Sequence, residues 1–202
     1  NGMAAVIFGK NSGTARANID VSALAAADGF LIHGNAANQA LGASVSSAGD
    51  VNDDGIEDMI VASATGDPGT GANAGLTYVV YGSANSSRAD VDLNALGTQG
   101  FIIRGGAAGD AAGYAVSKAG DVDGDGVDDL VVGAPLVDTG AKTNAGAAFI
   151  IYGRPDAQRA PGTTITLDNN LDANEGFQIR APRAGDQFGG GNSGINPSGS
   201  TA

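Results

Sequence analysis

The chain contains the acidic stretch Asp121-Val122-Asp123-Gly124-Asp125-Gly126-Val127-Asp128-Asp129, and a related stretch lies 71 residues earlier, Asp50-Val51-Asn52-Asp53-Asp54-Gly55-Ile56-Glu57-Asp58. Each stretch belongs to a longer repeat, because residues 29–82 align with residues 100–153 without a gap and 25 of the 54 positions are identical. A tandem repeat of this length is typical of a modular architecture in which one supersecondary unit recurs. The repeat therefore predicts two copies of one structural unit.

Oxygen-bearing side chains recur at every second position of both acidic loops. Ca²⁺ prefers about six to eight oxygen ligands, and a chain that curls around the ion presents alternate residues to it. We expect the side chains at positions 1, 3, 5 and 9 and the backbone carbonyl at position 7 to bind one Ca²⁺ in each loop. The first set is Asp50, Asn52, Asp54, the carbonyl of Ile56, and Asp58. The second set is Asp121, Asp123, Asp125, the carbonyl of Val127, and Asp129.

Other interpretations of the acidic loops fit the sequence less well. Asp and Gly also favour ordinary polar turns, but the pattern occurs twice in one register. An EF-hand would need a Glu at position 12, where this chain has Val61 and Val132. Mg²⁺ demands octahedral geometry, and Zn²⁺ prefers Cys and His ligands. The second loop has four ligand carboxylates and the first has three, so we expect the second to bind Ca²⁺ more tightly.

The sequence also predicts the exposure and the backbone conformation of the residues between the ligand positions. Asp53, Glu57 and Asp128 are expected to point to solvent. Gly55 and Gly126 occupy position 6, where the turn needs a positive φ angle.

The composition excludes several classes of protein. The net charge of −12 argues against binding nucleic acid or an anionic membrane, because both require clusters of Lys and Arg. Ten of the 22 carboxylates lie in the two acidic loops. The chain has no Cys, which excludes disulfides and thiolate metal sites. No apolar run reaches the length of a membrane span, so we expect no membrane insertion.

Short apolar runs bounded by Gly, Asp and Asn predict an all-β fold. Ten strands are expected, at Ala5–Phe8, Phe30–His33, Ala43–Ser46, Met59–Ala62, Thr77–Tyr81, Phe101–Arg104, Tyr114–Ser117, Leu130–Gly133, Ala148–Tyr152 and Phe177–Arg180. The related segments Ile19–Leu24, Val91–Leu96 and Ile165–Leu171 are interpreted as connections. The first of these, with Ala23–Ala27, is the one place where a short helix is expected.

Several spaced motifs resemble the FG-GAP repeat of integrin α-subunit propellers and their secreted bacterial and cyanobacterial relatives. Besides the two acidic loops, these motifs are Phe8-Gly9, Tyr81-Gly82, Tyr152-Gly153 and Gly133-Ala134-Pro135. In the first repeat the last of them has drifted to Ala62-Ser63-Ala64. The resemblance covers roughly residues 4–190.

The resemblance implies a β-propeller whose blades are four-stranded antiparallel sheets, with calcium in the hairpin between the first two strands of a blade. On this basis residues 35–104 and 105–180 are two full blades. Residues 1–34 are the C-terminal half of a preceding blade, residues 181–190 begin a further one, and residues 191–202 are a flexible tail. A closed propeller has about four to eight blades, so we expect further blades from the same polypeptide or from other copies.

The sequence favours binding over catalysis. There is one His, His33, which aligns with Arg104 and Arg180 on an outer strand, and there is no Gly-x-Ser-x-Gly elbow. We expect an extracellular or cell-surface adhesion or interaction scaffold that is not an enzyme. A protein or glycan ligand would bind to loops such as Thr65–Asn73 and Leu136–Asn144. The alternatives are a non-catalytic accessory propeller of a larger secreted enzyme and a structural subunit of a surface layer or filament.

Overall fold

The protein is all-β over the residues described by the computed structural model, namely 2–10, 18–34, 40–69, 71–85, 88–155, 158–160 and 162–190. The predicted tail, 191–202, lies outside these residues, as do Asn1, residues 11–17 and residue 70. Twelve strands occur in the described part. They are β1 (Met3–Ile7), β2 (Gly29–His33), β3 (Ser44–Gly49), β4 (Asp58–Ser63), β5 (Leu76–Val80), β6 (Val91–Asp92), β7 (Gly100–Gly105), β8 (Ala115–Gly120), β9 (Asp129–Ala134), β10 (Ala147–Ile151), β11 (Thr164–Leu167) and β12 (Gly176–Arg180).

The helical content of the described residues is limited to three short 3₁₀ turns. They are Val21–Ala23, Leu93–Ala95 and Gly97–Gln99. The first lies within the segment where a short helix was predicted, and the Asp20 side chain caps it by accepting a hydrogen bond from Ser22 N. None of these turns has the length or the hydropathy that a membrane-spanning helix requires.

The strands form three sheets that follow one another along the chain. The first sheet has the order β1-β2-β6, the middle sheet β11-β7-β5-β4-β3, and the last sheet β12-β10-β9-β8. Four neighbouring strands of the middle sheet (β3, β4, β5 and β7) are antiparallel, and so are all four of the last sheet. The repeat in the sequence is thus a repeat of one antiparallel meander.

All ten predicted strands are present, but two short strands were missed. β6 pairs in parallel with β2, with Val91 opposite Ile32, and β11 pairs in parallel with β7, with Ile165 opposite Ile103. These segments do lie in the connections before β7 and β12, as expected, but each of them also contains a short strand. In both cases a segment from one unit adds a strand to the outer edge of the preceding sheet.

The core consists of two apolar layers. One layer lies between the middle and last sheets and contains Phe101 and Ile103 from β7 together with Leu130 and Phe149 from the last sheet. The other lies between the first and middle sheets, where Phe30 and Ile32 of β2 pack with a cluster that includes Val61, Tyr78 and Val80. The middle sheet is therefore covered on one face by the last sheet, and the first sheet covers part of its other face, where Val45 stays exposed.

Two arginines at equivalent positions of the repeat each contact a phenylalanine ring of the preceding unit. Arg159 lies over the ring of Phe101, with the guanidinium carbon 4.4 Å from the ring centroid, and donates a 2.9 Å hydrogen bond to the carbonyl of Tyr152. Arg88 lies in the same way over Phe30 at 5.0 Å and donates to the carbonyl of Tyr81. Such cation–π contacts contribute more when they are shielded from water, and Arg159 is buried.

Candidate metal centre

Each acidic loop joins the first two antiparallel strands of a unit. The first loop connects β3 to β4 and the second connects β8 to β9, and a register shift precedes both, between Ser47 and Gly49 and between Lys118 and Gly120. A shift of this kind bends a strand and changes the direction of the residues that follow. The acidic side chains therefore come from a hairpin held by two rigid strands.

The backbone of the second loop curls around the side chain of Asp121. Asp121 Oδ1 accepts a hydrogen bond from Gly124 N at 2.7 Å, and Oδ2 accepts one from Gly126 N at 3.0 Å. Further along the loop, Asp123 accepts from Asp125 N, and Asp125 accepts from Val127 N. The predicted positive φ at position 6 is confirmed, with 93° at Gly126 and 85° at Gly55.

The aspartate at position 9 is buried in both loops and fastens the hairpin to the Tyr-Gly motif of the third strand. Asp129 accepts hydrogen bonds from Val122 N at 2.7 Å and from Gly153 N at 2.8 Å. A Cβ atom at Gly153 would lie 2.2 Å from the carbonyl oxygen of Asp128. The close approach of these two segments therefore explains why a glycine follows Tyr152.

The position-9 carboxylates are destabilised in their charged form. Burial raises the pKa of Asp129, and the nearby charges of Asp123 and Asp125 raise it further. Burial likewise raises the pKa of Asp58 to about 7, against the effect of hydrogen bonds from Gly82 N and Val51 N. Each carboxylate is thus held in a place where a nearby cation would favour its ionised form.

Three acidic side chains of the second loop converge. Asp121, Asp123 and Asp129 each offer one carboxylate oxygen, and these oxygens all lie within 4.8 Å of one another. Like charges at this distance repel unless a cation lies between them, and hard divalent cations prefer such oxygen ligands. This cluster is able to hold a metal ion. Asp125, the fourth predicted side-chain ligand, does not belong to it.

The backbone of the first loop likewise curls around the aspartate at position 1. The first loop has more contacts with other protein groups than the second loop has. Asp50 accepts from Asp54 N at 3.0 Å and from Gly55 N at 2.8 Å, and Asp54 accepts from Ile56 N. The amide of Asn52, which is buried, donates to Asp54 Oδ2 at 3.0 Å. Among the described residues, no triad of acidic oxygens occurs in this loop, because an amide replaces the carboxylate at position 3.

Asp128 does not point to solvent, so the prediction for this residue was wrong. Its Oδ2 accepts from Asp50 N at 3.0 Å and from Lys118 Nζ at 2.7 Å, and the Lys118 hydrogen bond lowers its pKa. Asp128 N also donates to the carbonyl of Asp50. Arg154 N donates to the carbonyl of Val51 at 2.8 Å. The second unit therefore binds the first acidic loop directly.

The other two residues between ligand positions are exposed, as predicted. Asp53 is in the left-handed region, with φ of 58°. Glu57 accepts a hydrogen bond from Ser47 Oγ at 2.7 Å.

His33, the single histidine, lies on β2, with Nε2 3.2 Å from Asp90 Oδ2.

The two loops predicted to contact a ligand follow β4 and β9, at the opposite end of the strands from the acidic loops. Their backbones bind the segment that begins the next unit: Gly109 N donates to the carbonyl of Ala72, and Gln187 N donates to that of Asn144. A cleft of about 340 Å³ lies between residues 106–110, 136–138 and 167–169. The loops are thus anchored to their neighbours over their described residues.

The fold and the acidic hairpins define an all-β protein built from tandem repeats. Residues 112–151 match the FG-GAP repeat family, and they span β8, the second acidic loop, β9 and β10. The chain therefore contains an FG-GAP repeat, and the resemblance inferred from the sequence motifs is confirmed.

Two relatives are similar in sequence to part of this chain. Phosphatidylinositol-glycan-specific phospholipase D of Mus musculus is 31% identical over 125 residues, which are 61% of this chain and 14% of the relative. The enzyme of the same name from Bos taurus is 34% identical over 129 residues, 63% of this chain and 15% of the relative. The chain thus spans only a small part of the length of these relatives.

Proposed function

We propose that this chain is a calcium-binding part of an extracellular β-propeller that acts as an adhesion or interaction scaffold. The convergence of Asp121, Asp123 and Asp129 at the start of a rigid hairpin carries the proposal. The FG-GAP match, which includes this hairpin, supports it. The middle and last sheets each contain four neighbouring antiparallel strands, the number expected of a propeller blade, and the first sheet contains two antiparallel strands, β1 and β2.

Calcium would have a structural role in this protein. Two Ca²⁺ ions would change the net charge from −12 to −8 and would relieve the repulsion within each acidic loop. The ligands would be the side chains at positions 1, 3, 5 and 9 and the carbonyls of Ile56 and Val127. Extracellular calcium modules bind with Kd around 10⁻⁴–10⁻³ M, which suits a compartment where calcium is abundant. A protein or glycan ligand would then meet the loops at the opposite end of the strands.

Calcium titration by calorimetry tests this proposal. We expect two ions bound per chain and a higher melting temperature in Ca²⁺ than in EDTA. At a free Ca²⁺ concentration of about 100 Kd, each site contributes about 2.7 kcal/mol to stability. The isosteric pair Asp121→Asn with Asp123→Asn should leave one bound ion. No binding heat together with an unchanged melting temperature would refute the calcium role.

A second candidate function is a non-catalytic accessory propeller of a larger secreted enzyme. The observation that favours it is that both relatives are phospholipases D, of which this chain matches only 14% and 15%. The gene sequence on both sides of this chain distinguishes the two functions. A catalytic domain in the same polypeptide supports the accessory module, and an array of further repeats alone supports the scaffold.

A further inference from the structure

Asp128 lies between two predicted ligand positions of the second acidic loop, the carbonyl of Val127 and the carboxylate of Asp129. It contacts the first acidic loop with its side chain and with its backbone. Its Oδ2 accepts a hydrogen bond from Asp50 N at 3.0 Å, and its own N donates to the carbonyl of Asp50 at 3.2 Å. One residue of the second loop therefore holds both backbone polar groups of position 1 in the first loop.

Asp50 in turn determines the shape of the first loop. Its side chain accepts hydrogen bonds from Asp54 N and from Gly55 N, so the turn closes around this carboxylate. Asp50 is also the first predicted ligand of the loop. A displacement of its backbone would therefore move one ligand and loosen the turn that presents the others.

A second path of hydrogen bonds joins the position-9 carboxylates of the two loops. Asp129 Oδ1 accepts from Gly153 N at 2.8 Å, and the next residue, Arg154, donates from its N to the carbonyl of Val51 at 2.8 Å. Val51 N donates to Asp58 Oδ2 at 2.9 Å. The predicted ligands of the two loops are thus connected through short stretches of backbone.

The junction between the loops has both the space and the counter-charge that Asp128 needs. A Cβ atom at Gly49 would lie 2.3 Å from Asp128 Oδ2, so the contact requires a residue without a side chain there. At Gly120, the equivalent position of the next unit, a Cβ atom would meet no described residue within 4 Å. Lys118 Nζ lies 2.7 Å from Asp128 Oδ2 and neutralises the charge brought close to Asp50.

We propose that Asp128 is a positioning residue of the first calcium site and that it makes the two loops bind Ca²⁺ with positive cooperativity. The inference rests on the proposed calcium-binding function. With the second loop filled, the carbonyl of Val127 and the carboxylate of Asp129 are fixed, and the residue between them is held as well. The first loop then has fewer groups left to order, so binding there costs less conformational entropy. By linkage, filling the first loop strengthens the second by the same factor.

Repulsion between two bound cations opposes this effect. The side chains at positions 1, 3 and 5 of the second loop are exposed, and salt screens exposed charges beyond about 8 Å at an ionic strength of about 0.15 M. The hydrogen bond between Asp50 and Asp128 is partly buried. We therefore expect the hydrogen bonds to prevail at this ionic strength, with a coupling of about fivefold, the lower end of the usual range for coupled sites.

Calcium titration of the full chain, followed by NMR, tests the inference. The amide signals of Gly55 and Gly126 report on the first and second loops, because each amide donates to the aspartate at position 1 of its own loop. The coupling factor is the Kd of the first loop in the variant Asp121→Asn with Asp123→Asn, divided by its Kd with the second loop intact. We expect a factor of about 5.

Three further variants identify the residue that carries the coupling. Asp128→Ala leaves every proposed ligand in place and should lower the factor below about 2. Asp128→Asn still offers an oxygen to Asp50 N and should retain most of the coupling. The matched control is Glu57→Ala, because Glu57 is the equivalent of Asp128 in the repeat but accepts a hydrogen bond from Ser47 of its own unit. The control should leave the factor unchanged.

Independent binding by the two loops overturns the inference and leaves the calcium role intact. A factor below one, which would mean that repulsion between the ions prevails, also overturns it. An undiminished factor in Asp128→Ala would show that Asp128 is not the link. Failure of the proposed function itself looks different, since neither glycine amide would then shift with Ca²⁺ in the unaltered chain.

Discussion

The two acidic loops have the same backbone design but different surroundings. Val51 in the first loop is 1% exposed, whereas its equivalent in the second loop, Val122, is 46% exposed. The first loop is covered because Asp128 and Arg154 of the following unit bind its backbone. The second loop has no such cover in the part of the chain that the structure describes, and its carboxylates converge. One turn design is therefore covered by a neighbouring unit in one copy, and in the next copy it leaves carboxylates together that are able to hold a cation.

The largest predicted effect is that of a variant without two of the proposed calcium ligands of the second, uncovered loop. Asp121→Ala with Asp125→Ala should lower stability by about 2.7 kcal/mol at a free Ca²⁺ concentration of about 100 Kd, because the stabilisation from bound calcium is lost. Asp50→Ala with Asp54→Ala should cost less, because protein contacts also hold the first loop. Thermal unfolding of both variants in Ca²⁺ and in EDTA measures the difference. An equal loss with EDTA present would show that the side chains stabilise the loop without calcium.

The second prediction concerns pH and the calcium-free protein. The folded-state pKa of Asp58 is about 7, above its ordinary value of 3.8, so the folded state binds a proton that the unfolded state has released. The contribution of Asp58 to stability should therefore be greatest at low pH and fall as pH rises towards 7, by at most about 2.7 kcal/mol between pH 5 and pH 7. Urea unfolding in EDTA at these two pH values measures the fall. Asp58→Asn should flatten the dependence, and a slope of the opposite sign would contradict the assignment.

The third prediction makes the first loop more like the second. Asn52→Asp adds a fourth ligand carboxylate and should tighten calcium binding at that site roughly tenfold, or about 1.4 kcal/mol. In EDTA the same change should destabilise the protein, because position 52 is buried beside Asp54. Calorimetry of the variant checks both sites separately.

The matched control for this change is Asp53→Asn. Residue 53 is exposed and its positive φ suits Asn as well as Asp, so stability and affinity should stay within about 0.5 kcal/mol. Effects of equal size and opposite sign for the two substitutions would mean that net charge, and not ligand position, governs binding.

The sequence predicted the elements whose signals are local. Strands bounded by Gly and Asp were found, and so were the turns at Gly55 and Gly126, because short-range sterics determine them. β6 and β11 were missed because each is a short strand that pairs in parallel with a strand about sixty residues earlier, and such pairing leaves no periodic signal. The contact of Asp128 with Asp50 was missed for the same reason, since it joins two units.

One missed feature did have a signal in the sequence. Arg88 and Arg159 recur at the repeat offset of 71 residues, each six residues after the glycine of a Tyr-Gly motif. Their role was not evident from the sequence because the rings that they cover belong to the preceding unit. A recurring charged residue in an otherwise variable segment is therefore worth examining as a contact between units.

The same arginine contacts have a consequence for synthesis on the ribosome. Phe101 is covered by Arg159, which is translated about sixty residues later. At about 5–20 residues per second, several seconds pass between the synthesis of Phe101 and the synthesis of the arginine that covers its ring. During that interval an aromatic face is open to chaperones and to neighbouring nascent chains, so slow codons between the two positions should increase aggregation, and fast ones should reduce it.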